Sequence, residues 1–391
     1  MGTRGYKMAN SVLIAHYRND IVSGAERAIL DMVIPLNSRF SCTMLVPGEG
    51  SLSAFYQEKG CNVWVQAIST PRRKYPGYHL VQSIWMSQQL KKRQVKAIVC
   101  NTFSAASRIS TASRLAKIPY AIFAREYVRD IPLYRHVLQQ ADLLLAVSAD
   151  LAAHIQILAA DKEVHVVHDN ILSEPIFARL MDQQQKSERE SPFGKDNPVI
   201  GWVGRITIYK QPDLFIRAMK AVLVKFPTVQ FAIIGSSKEN EREFENSLHQ
   251  LANELGVSDH LMFLGQRDDV LELMKEFSVL CLTSTREPFA RVLLEAQLVG
   301  CPVIAPSSGG APEVIHDGSN GLLFDALAQD ASDQLSERII KLLEDRKLTK
   351  MFISQGYKDI MGGYASLQPV QVFEQMLDSM VRNGSVQHAC E

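Results

Sequence analysis

The sequence predicts an α/β protein of two doubly wound Rossmann-like domains, each a parallel sheet wrapped by helices. Three observations carry this. Its 391 residues exceed what one ordinary core organises and suit two. Short β-branched or apolar runs alternate with longer helical patterns, as expected for strands buried on both faces in βαβ units. The alternation also stops once and restarts, interrupted by MDQQQKSERESPFGKDNP, which is polar and ends in Pro, Gly and Asn. The chain accordingly divides into a first domain at 1–185, a linker at 186–197, a second domain at 198–364, and a terminal helical segment at 365–391.

In the first domain SVLIAH, CTMLVP, NVWVQA, AIVCN, YAIFA, LLLAV and VHVVH read as strands. Helical patterns lie between them in ERAILDMVIPLNSRF, YHLVQSIWMSQQLKKRQ and SADLAAHIQILAAD. After residue 197 the strands are PVIGWVG, QFAIIG, LMFLG, SVLCLTS and PVIAP. The second set of helices is DLFIRAMKAVLVKF, EFENSLHQLANELG, DVLELMKEF and FARVLLEAQLVG. The last segment, VQVFEQMLDSMV, follows Gly362-Gly363 and carries an apolar stripe that must dock, most simply on the first domain. Sheets of this kind bind ligands at the carboxyl ends of their strands, so two facing domains are expected to share a cleft site.

Composition narrows the function. With 46% hydrophobic and 21% charged residues the chain is globular, and its zero net charge gives no reason to expect nucleic acid. The charge is uneven: residues 1–185 hold 21 Lys and Arg against 14 Asp and Glu. A basic front half suits an anionic acceptor or peripheral contact with an acidic membrane surface. Its basic clusters, PRRKYPGYH and KKRQVK, read either as solvated faces or as contacts to a phosphate-bearing lipid or membrane. The six cysteines show no CxxC and read as buried thiols of a reducing compartment. No run of apolar residues is long enough to span a bilayer, no apolar signal core opens the chain, and Tyr6 stands where a myristoylation motif wants Ser or Thr. The expected location is cytoplasmic. No metal site is indicated, since His165 and His168 alternate with valines as on a strand face and no Asp-x-Asp occurs.

The informative segment is CLTSTREPFARVLLEAQLVGCPVIAPSSGGAPEVIHDGSNGLLF. A strand ends at Ser284, and Glu287-Pro288 is expected to start a helix, with proline where its missing N–H costs nothing. Glu295 then lies two turns in and Glu287 at the mouth, both facing one ligand, beside first-turn amides that attract an anion. Such a mouth fits a nucleotide sugar. Arg205 and Lys210, in VGRITIYK, follow another strand end, where fixed cations stabilise a departing diphosphate.

Together these strings, with SGAERAILDM, ADLLLAVSADL, FAIIGSS and FLGQRDDV, resemble the retaining glycosyltransferases of family 4. The resemblance is dense in the C-terminal half. It implies the glycosyltransferase-B fold and transfer of a sugar from a nucleotide sugar, with UDP- or GDP-sugar as expected donor, no separate cofactor and no metal. By it, Glu287 contacts the donor sugar near the reaction centre and Glu295 holds the ribose hydroxyls. Arg205 and Lys210 grip the diphosphate, met also by backbone amides around Arg291 and Val292 in the turn after Phe289 and Ala290. Gly24 is the glycine of the first β–α loop that approaches the diphosphate, Gly309 and Gly310 form a loop near the sugar, and Arg267 sits in a loop that touches the base by the resemblance and reads equally as a plain turn. Glu26 reads as support for the first turn of its helix.

The sequence departs from the family twice. Ala290 replaces the usual glycine, adding a methyl near the sugar pocket. The loop after the fifth strand, AIFAREYVRD, offers Arg125, Glu126 and Asp130 where many relatives carry a histidine. These residues and Asn101, which alternatively caps the next turn, are the acceptor-side candidates. A carbohydrate, glycolipid or small-molecule hydroxyl is the expected acceptor. Epimerases, phosphorylases and a non-catalytic nucleotide-sugar-binding module remain as alternative readings of the same architecture. An NAD-dependent dehydrogenase lacks its GxGxxG here.

Overall fold

A computed structural model describes residues 10–19, 24–68, 76–171, 192–193 and 197–383. The chain forms two compact units, one of Met1–Asn170 with Leu367–Glu391 and one of Ile171–Ser366. The division thus falls after Asn170 and again after Ser366, whereas most of the 186–197 segment lies outside the described residues.

In the first unit seven parallel strands lie in the order β3-β2-β1-β4-β5-β6-β7. They are β1 (Asn10–Ala15), β2 (Phe40–Val46), β3 (Asn62–Val65), β4 (Ala97–Cys100), β5 (Tyr120–Ala124), β6 (Leu143–Ala146) and β7 (Val164–Val166). Strands β4, β5 and β6 are buried at every residue, which explains why their sequences run apolar without alternation. Register is fixed along β1, where Val12 lies opposite Cys42 and Ala97. The helices are α1 (Gly24–Val33), α2 (Ser51–Glu58), α3 (Pro76–Lys92), α4 (Phe103–Ala116), α5 (Pro132–Gln140) and α6 (Ala149–Leu158).

One reading changes here, and one helix is added. The first helix stops at Val33, because Pro35 has no N–H to continue the ladder, and a 3-10 turn at Ile34–Ser38 follows. Phe40 therefore opens β2 instead of closing a helix. FSAASRISTASRLA, too poor in large apolar residues to show a helical stripe, forms α4 between the Thr102 cap and left-handed Lys117.

The second unit is a six-stranded parallel sheet in the order β10-β9-β8-β11-β12-β13. Its strands are β8 (Val199–Val203), β9 (Gln230–Ile234), β10 (Leu261–Gly265), β11 (Val279–Cys281), β12 (Val303–Pro306) and β13 (Leu322–Phe324). Its helices are α7 (Pro212–Lys225), α8 (Arg242–Glu254), α9 (Val270–Met274), α10 (Arg291–Leu298), α11 (Ala311–Val314), α12 (Ala331–Glu344) and α13 (Arg346–Gly362). Trp202, Phe215 and Phe231 fill the core, with Phe215 edge-on to Phe231.

The last helix, α14 (Gln368–Asn383), returns to the first unit and packs on α1 and β4. Its Phe373, Leu377 and Met380 are fully buried, and the Phe373 ring lies 5.5 Å from Phe123. Burying each such side chain contributes about 1.5–3 kcal/mol. Cys42, Cys100, Cys281 and Cys301 are buried free thiols, and burial pushes the Cys42 thiol up to about 12.

Candidate functional site in the second unit

The strand order of the second unit reverses between β8 and β11, and open parallel sheets bind ligands at the strand ends beside such a reversal. Both segments singled out in the sequence begin there. From β8 the chain runs through Gly204 and Arg205 to a 3-10 turn, Ile208–Lys210, and into α7. From β11 it runs through Thr283 and Ser284 to Glu287. Lys210 and Glu287, 77 residues apart in sequence, are thereby brought into contact.

Thr283 fastens the two segments. Its hydroxyl lies 2.8 Å from the carbonyl oxygens of both Lys210 and Gln211, and accepts the Trp202 indole N–H at 2.9 Å. The Thr285 N–H also donates to the Tyr209 carbonyl at 2.8 Å. These bonds hold Gln211 at φ 46°, a left-handed conformation that costs a non-glycine residue about 1–2 kcal/mol. Across the neighbouring strand end, Gly235 packs so closely that a Cβ there would fall 1.9 Å from the Gly204 carbonyl oxygen.

Glu287 is buried, and two donors meet on its Oε1. Lys210 Nζ donates at 2.6 Å and Ser284 Oγ at 2.6 Å. Burial works against the charge of Lys210, but Glu287 and Tyr209 outweigh it, so the ammonium pKa lies above the usual lysine range. Behind the carboxylate, Gly309 rests on the Glu287 backbone with φ +67°, and Gly310 N–H donates to the Glu287 carbonyl at 2.8 Å. A Cβ at Gly309 would sit 2.4 Å from that carbonyl oxygen, so glycine is required there.

The expected helix start is corrected. Helix α10 begins at Arg291, not near Pro288, so Glu295 lies little more than one turn in and Glu287 precedes the helix by four residues. The cause is tertiary: Glu287 pairs with Gly309, and Phe289 is buried with its ring 5.7 Å from that of Tyr364. Ala290 caps the helix at φ −80°, which any L residue adopts, so the alanine in place of the family's glycine meets no backbone restriction. The Arg291 N–H, expected to face a diphosphate, donates to the Phe289 carbonyl at 2.9 Å. The Arg291 side chain pairs with Glu295 at 3.1 Å, one turn along the half-buried face. Val292 follows Arg291 in that first turn.

Three polar atoms of the 205–211 loop are buried without a hydrogen-bond partner: Arg205 Nε, Thr207 Oγ1 and Gln211 Oε1. Native interiors leave few such groups unsatisfied, so this loop holds polar capacity that a ligand or ordered water would take up. Arg267, beyond β10, forks onto Asp269 at 2.8 and 2.6 Å.

Gly24 and the acceptor-side candidates belong to the first unit. Gly24 opens α1 and is exposed, while Glu26 is buried in its first turn. Asn101 does not cap the following helix; Thr102 does, accepting the Ala105 N–H at 3.1 Å. Asn101 instead reaches the Ala25 carbonyl at 3.2 Å and accepts from Arg125 Nε at 2.9 Å. Arg125 forms a buried ion pair with Asp169 and stacks over Phe123. Beside it, burial and then the Arg125 charge push His16 down to about 3, leaving it neutral. The Tyr56 hydroxyl donates to the Glu26 carbonyl at 3.1 Å, so His16 Nε2, 3.2 Å away, donates to the Tyr56 oxygen. Burial raises the Glu126 pKa, with Arg18 opposing and Glu26 adding to the rise. Asp130 pairs with exposed Arg135 at 2.7 Å. Among the described residues no group of His, Cys, Asp and Glu has the arrangement of a metal site. None of the described helices is long and apolar enough to cross a membrane.

Residues 183–359 match the family model described as glycosyl transferases group 1. That segment holds Arg205, Lys210, Arg267, Glu287 and Glu295, of which the geometry brings Lys210, in the Arg205 loop, into contact with Glu287. Among curated relatives, the chain is similar to D-inositol 3-phosphate glycosyltransferase of Kribbella flavida, 31% identical over 281 residues. The alignment covers 66% of this chain and 64% of that protein. It is also similar to N-acetyl-alpha-D-glucosaminyl L-malate synthase of Bacillus anthracis, 25% identical over 64% of this chain and 63% of the other. The chain thus spans somewhat less than two thirds of these relatives. Among solved structures, Anabaena HepE in complex with UDP-glucose aligns at TM-score 0.78 and 22% identity, covering 94% of this chain and 99% of that one. WaaG, a glycosyltransferase involved in lipopolysaccharide biosynthesis, aligns at TM-score 0.67 and 16% identity, over 95% of this chain and 100% of that one. The fold is the glycosyltransferase-B fold.

Sequence reading missed Thr283, Ser284 and Tyr364. Thr283 and Ser284 left a signal, hydroxyls placed where an apolar strand ends. Tyr364, far along the chain, left none.

Proposed function

We infer that this chain is a group 1 glycosyltransferase that moves a sugar from a nucleotide sugar to an acceptor hydroxyl with retention at the anomeric carbon. The observation that carries the reading is the 205–211 loop. Its unsatisfied Arg205 Nε, Thr207 Oγ1 and Gln211 Oε1 stand beside the buried Lys210–Glu287 pair, inside the matched segment. Arg205 and Lys210 hold the diphosphate, Glu287 the sugar hydroxyls and Glu295 the ribose. UDP-sugars are the first donors to test, since the Anabaena neighbour was solved with UDP-glucose.

In the reaction the bond from the anomeric carbon to the diphosphate oxygen breaks, through an oxocarbenium-like state. A bond to the acceptor oxygen forms on the same face, and the acceptor proton passes to the departing phosphate oxygen. Charge develops on that phosphate, where preorganised cations are worth most. With Arg205 and Lys210 supplying the positive charge, the reading needs no divalent metal. A carbohydrate, glycolipid or small molecule supplies the hydroxyl, and the chain acts in the cytoplasm.

The test is product stereochemistry by proton NMR, with α-configured UDP-sugars, an acceptor panel and EDTA present. Retention predicts an α-linked product, and Lys210→Ala lowers kcat/KM by roughly 10²–10³-fold. A β-linked product, or a free epimerised sugar formed without acceptor, contradicts the reading.

A further inference from the structure

Helix α3 turns serines inward and large apolar side chains outward. Ser83 and Ser87 are buried with Met86 and Leu90 where the helix packs on α4, whose own buried face is mostly Ser and Ala. Small residues let two helices approach closely, and the bulky ones are displaced to the outside. Tyr78, Val81 and Trp85 stand there at helical spacing with Leu80 and Ile84 beside them, and Tyr78 and Val81 are 65% and 66% exposed. A soluble surface rarely carries such a contiguous apolar row without a partner.

The charge along this part of the chain says what kind of partner. Between Glu58 and Glu126 the sequence carries twelve Lys and Arg and not one Asp or Glu. Lys91, Lys92, Arg93 and Lys96 are all exposed just past the apolar row. A second copy on a two-fold axis would set these cations against their own kind. Nucleic acid would take the cations and leave the aliphatic side chains in water. An anionic bilayer satisfies both sets at once.

We propose that the outer face of α3 docks this chain on an anionic lipid surface. Leu80, Val81, Ile84 and Trp85 enter the boundary between headgroups and acyl chains, and the Lys/Arg end of the helix pairs with lipid phosphates. The inference rests on the first unit alone and is independent of the transferase reading.

The test uses the full chain with vesicles of phosphatidylcholine, with and without phosphatidylglycerol. The chain has three tryptophans, and Trp64 and Trp202 are buried, so Trp85 reports the environment of this face. The expected result is a blue shift and shielding from iodide only with phosphatidylglycerol, with cosedimentation that weakens as salt rises. Affinity falls roughly tenfold or more in both Leu80→Ser/Ile84→Ser and Lys91→Glu/Lys92→Glu. These positions are exposed, and an unchanged melting temperature checks that the variants fold. No vesicle binding, or binding that neither variant weakens, overturns the proposal. So does a dimer in solution that Leu80→Ser/Ile84→Ser dissociates, which assigns the face to a second copy.

Discussion

Two donors, Lys210 and Ser284, converge on one oxygen of Glu287, and this buried pair governs what substitution does at the site. Removing one partner strands the other, at a cost of about 3–5 kcal/mol, whereas replacing both with apolar residues is nearly neutral. We expect Lys210→Ala to destabilise the second unit in urea, and Lys210→Met/Glu287→Leu to recover stability without recovering turnover. Because the Lys210 pKa is raised, the stability contributed by its charge is fully present below the unfolded lysine value of about 10.4 and is lost as pH rises through the higher folded value. His16 behaves oppositely. It is neutral when folded, with a pKa of about 3, while the unfolded chain takes up its proton near pH 6.5. Stability therefore falls as pH drops below about 6.5, by roughly 2 kcal/mol at pH 5. Urea unfolding at pH 7 and pH 5 should show wild type losing that much more than His16→Asn; an equal loss in both would place a charged histidine there. At this scale the sequence was legible where a residue bears charge beside a strand end, as with Arg205, Lys210 and Glu287. It was not legible for Thr283 or Ser284, whose importance comes from partners more than seventy residues away or from a loop whose shape no local rule sets.

Between elements, the strap from β11 to the β8 loop is the feature on which the site depends. Thr283→Val keeps the volume and removes the hydroxyl, leaving the Trp202 N–H and two carbonyls without it. The expected loss is about 1–3 kcal/mol, with a larger fall in nucleotide affinity than in stability as the Arg205–Lys210 loop relaxes. Calorimetric binding beside thermal unfolding checks this, and unaltered affinity would show that the loop holds its shape without the strap. Strands were readable because β4, β5, β8 and β11 are buried on both faces and so are continuously apolar. Helix α10 shows where reading fails. Pro288 is a sound local start signal, yet the pairing of Glu287 with Gly309 delays the helix to Arg291, and that partner lies more than twenty residues downstream. Helix α4 fails for another reason: its buried face is built from Ser and Ala, which carry no hydrophobic period.

For the whole molecule, two sheets with separate cores imply unfolding in two steps, not one. A nucleotide held by the second unit should raise only its transition, by RT ln(1 + [L]/Kd), leaving the other in place. The terminal helix links the chain's end to the first unit, so Phe373→Ala should lower the transition of that unit by about 3–5 kcal/mol and leave nucleotide binding intact. Two-domain organisation was legible from the interrupted alternation of strands and helices, and the apolar stripe of the terminal segment pointed to docking on the first domain, while the packing of Phe373 on Phe123 was not legible. The most direct test of the central claim is calorimetric titration of wild type and Glu295→Ala with UDP-, GDP- and ADP-sugars in EDTA. One nucleotide series should bind wild type, and Glu295→Ala should abolish that binding or weaken it by at least roughly tenfold, about 1.4 kcal/mol. If no nucleotide sugar binds wild type, or Glu295→Ala binds equally well, the donor site described here is wrong.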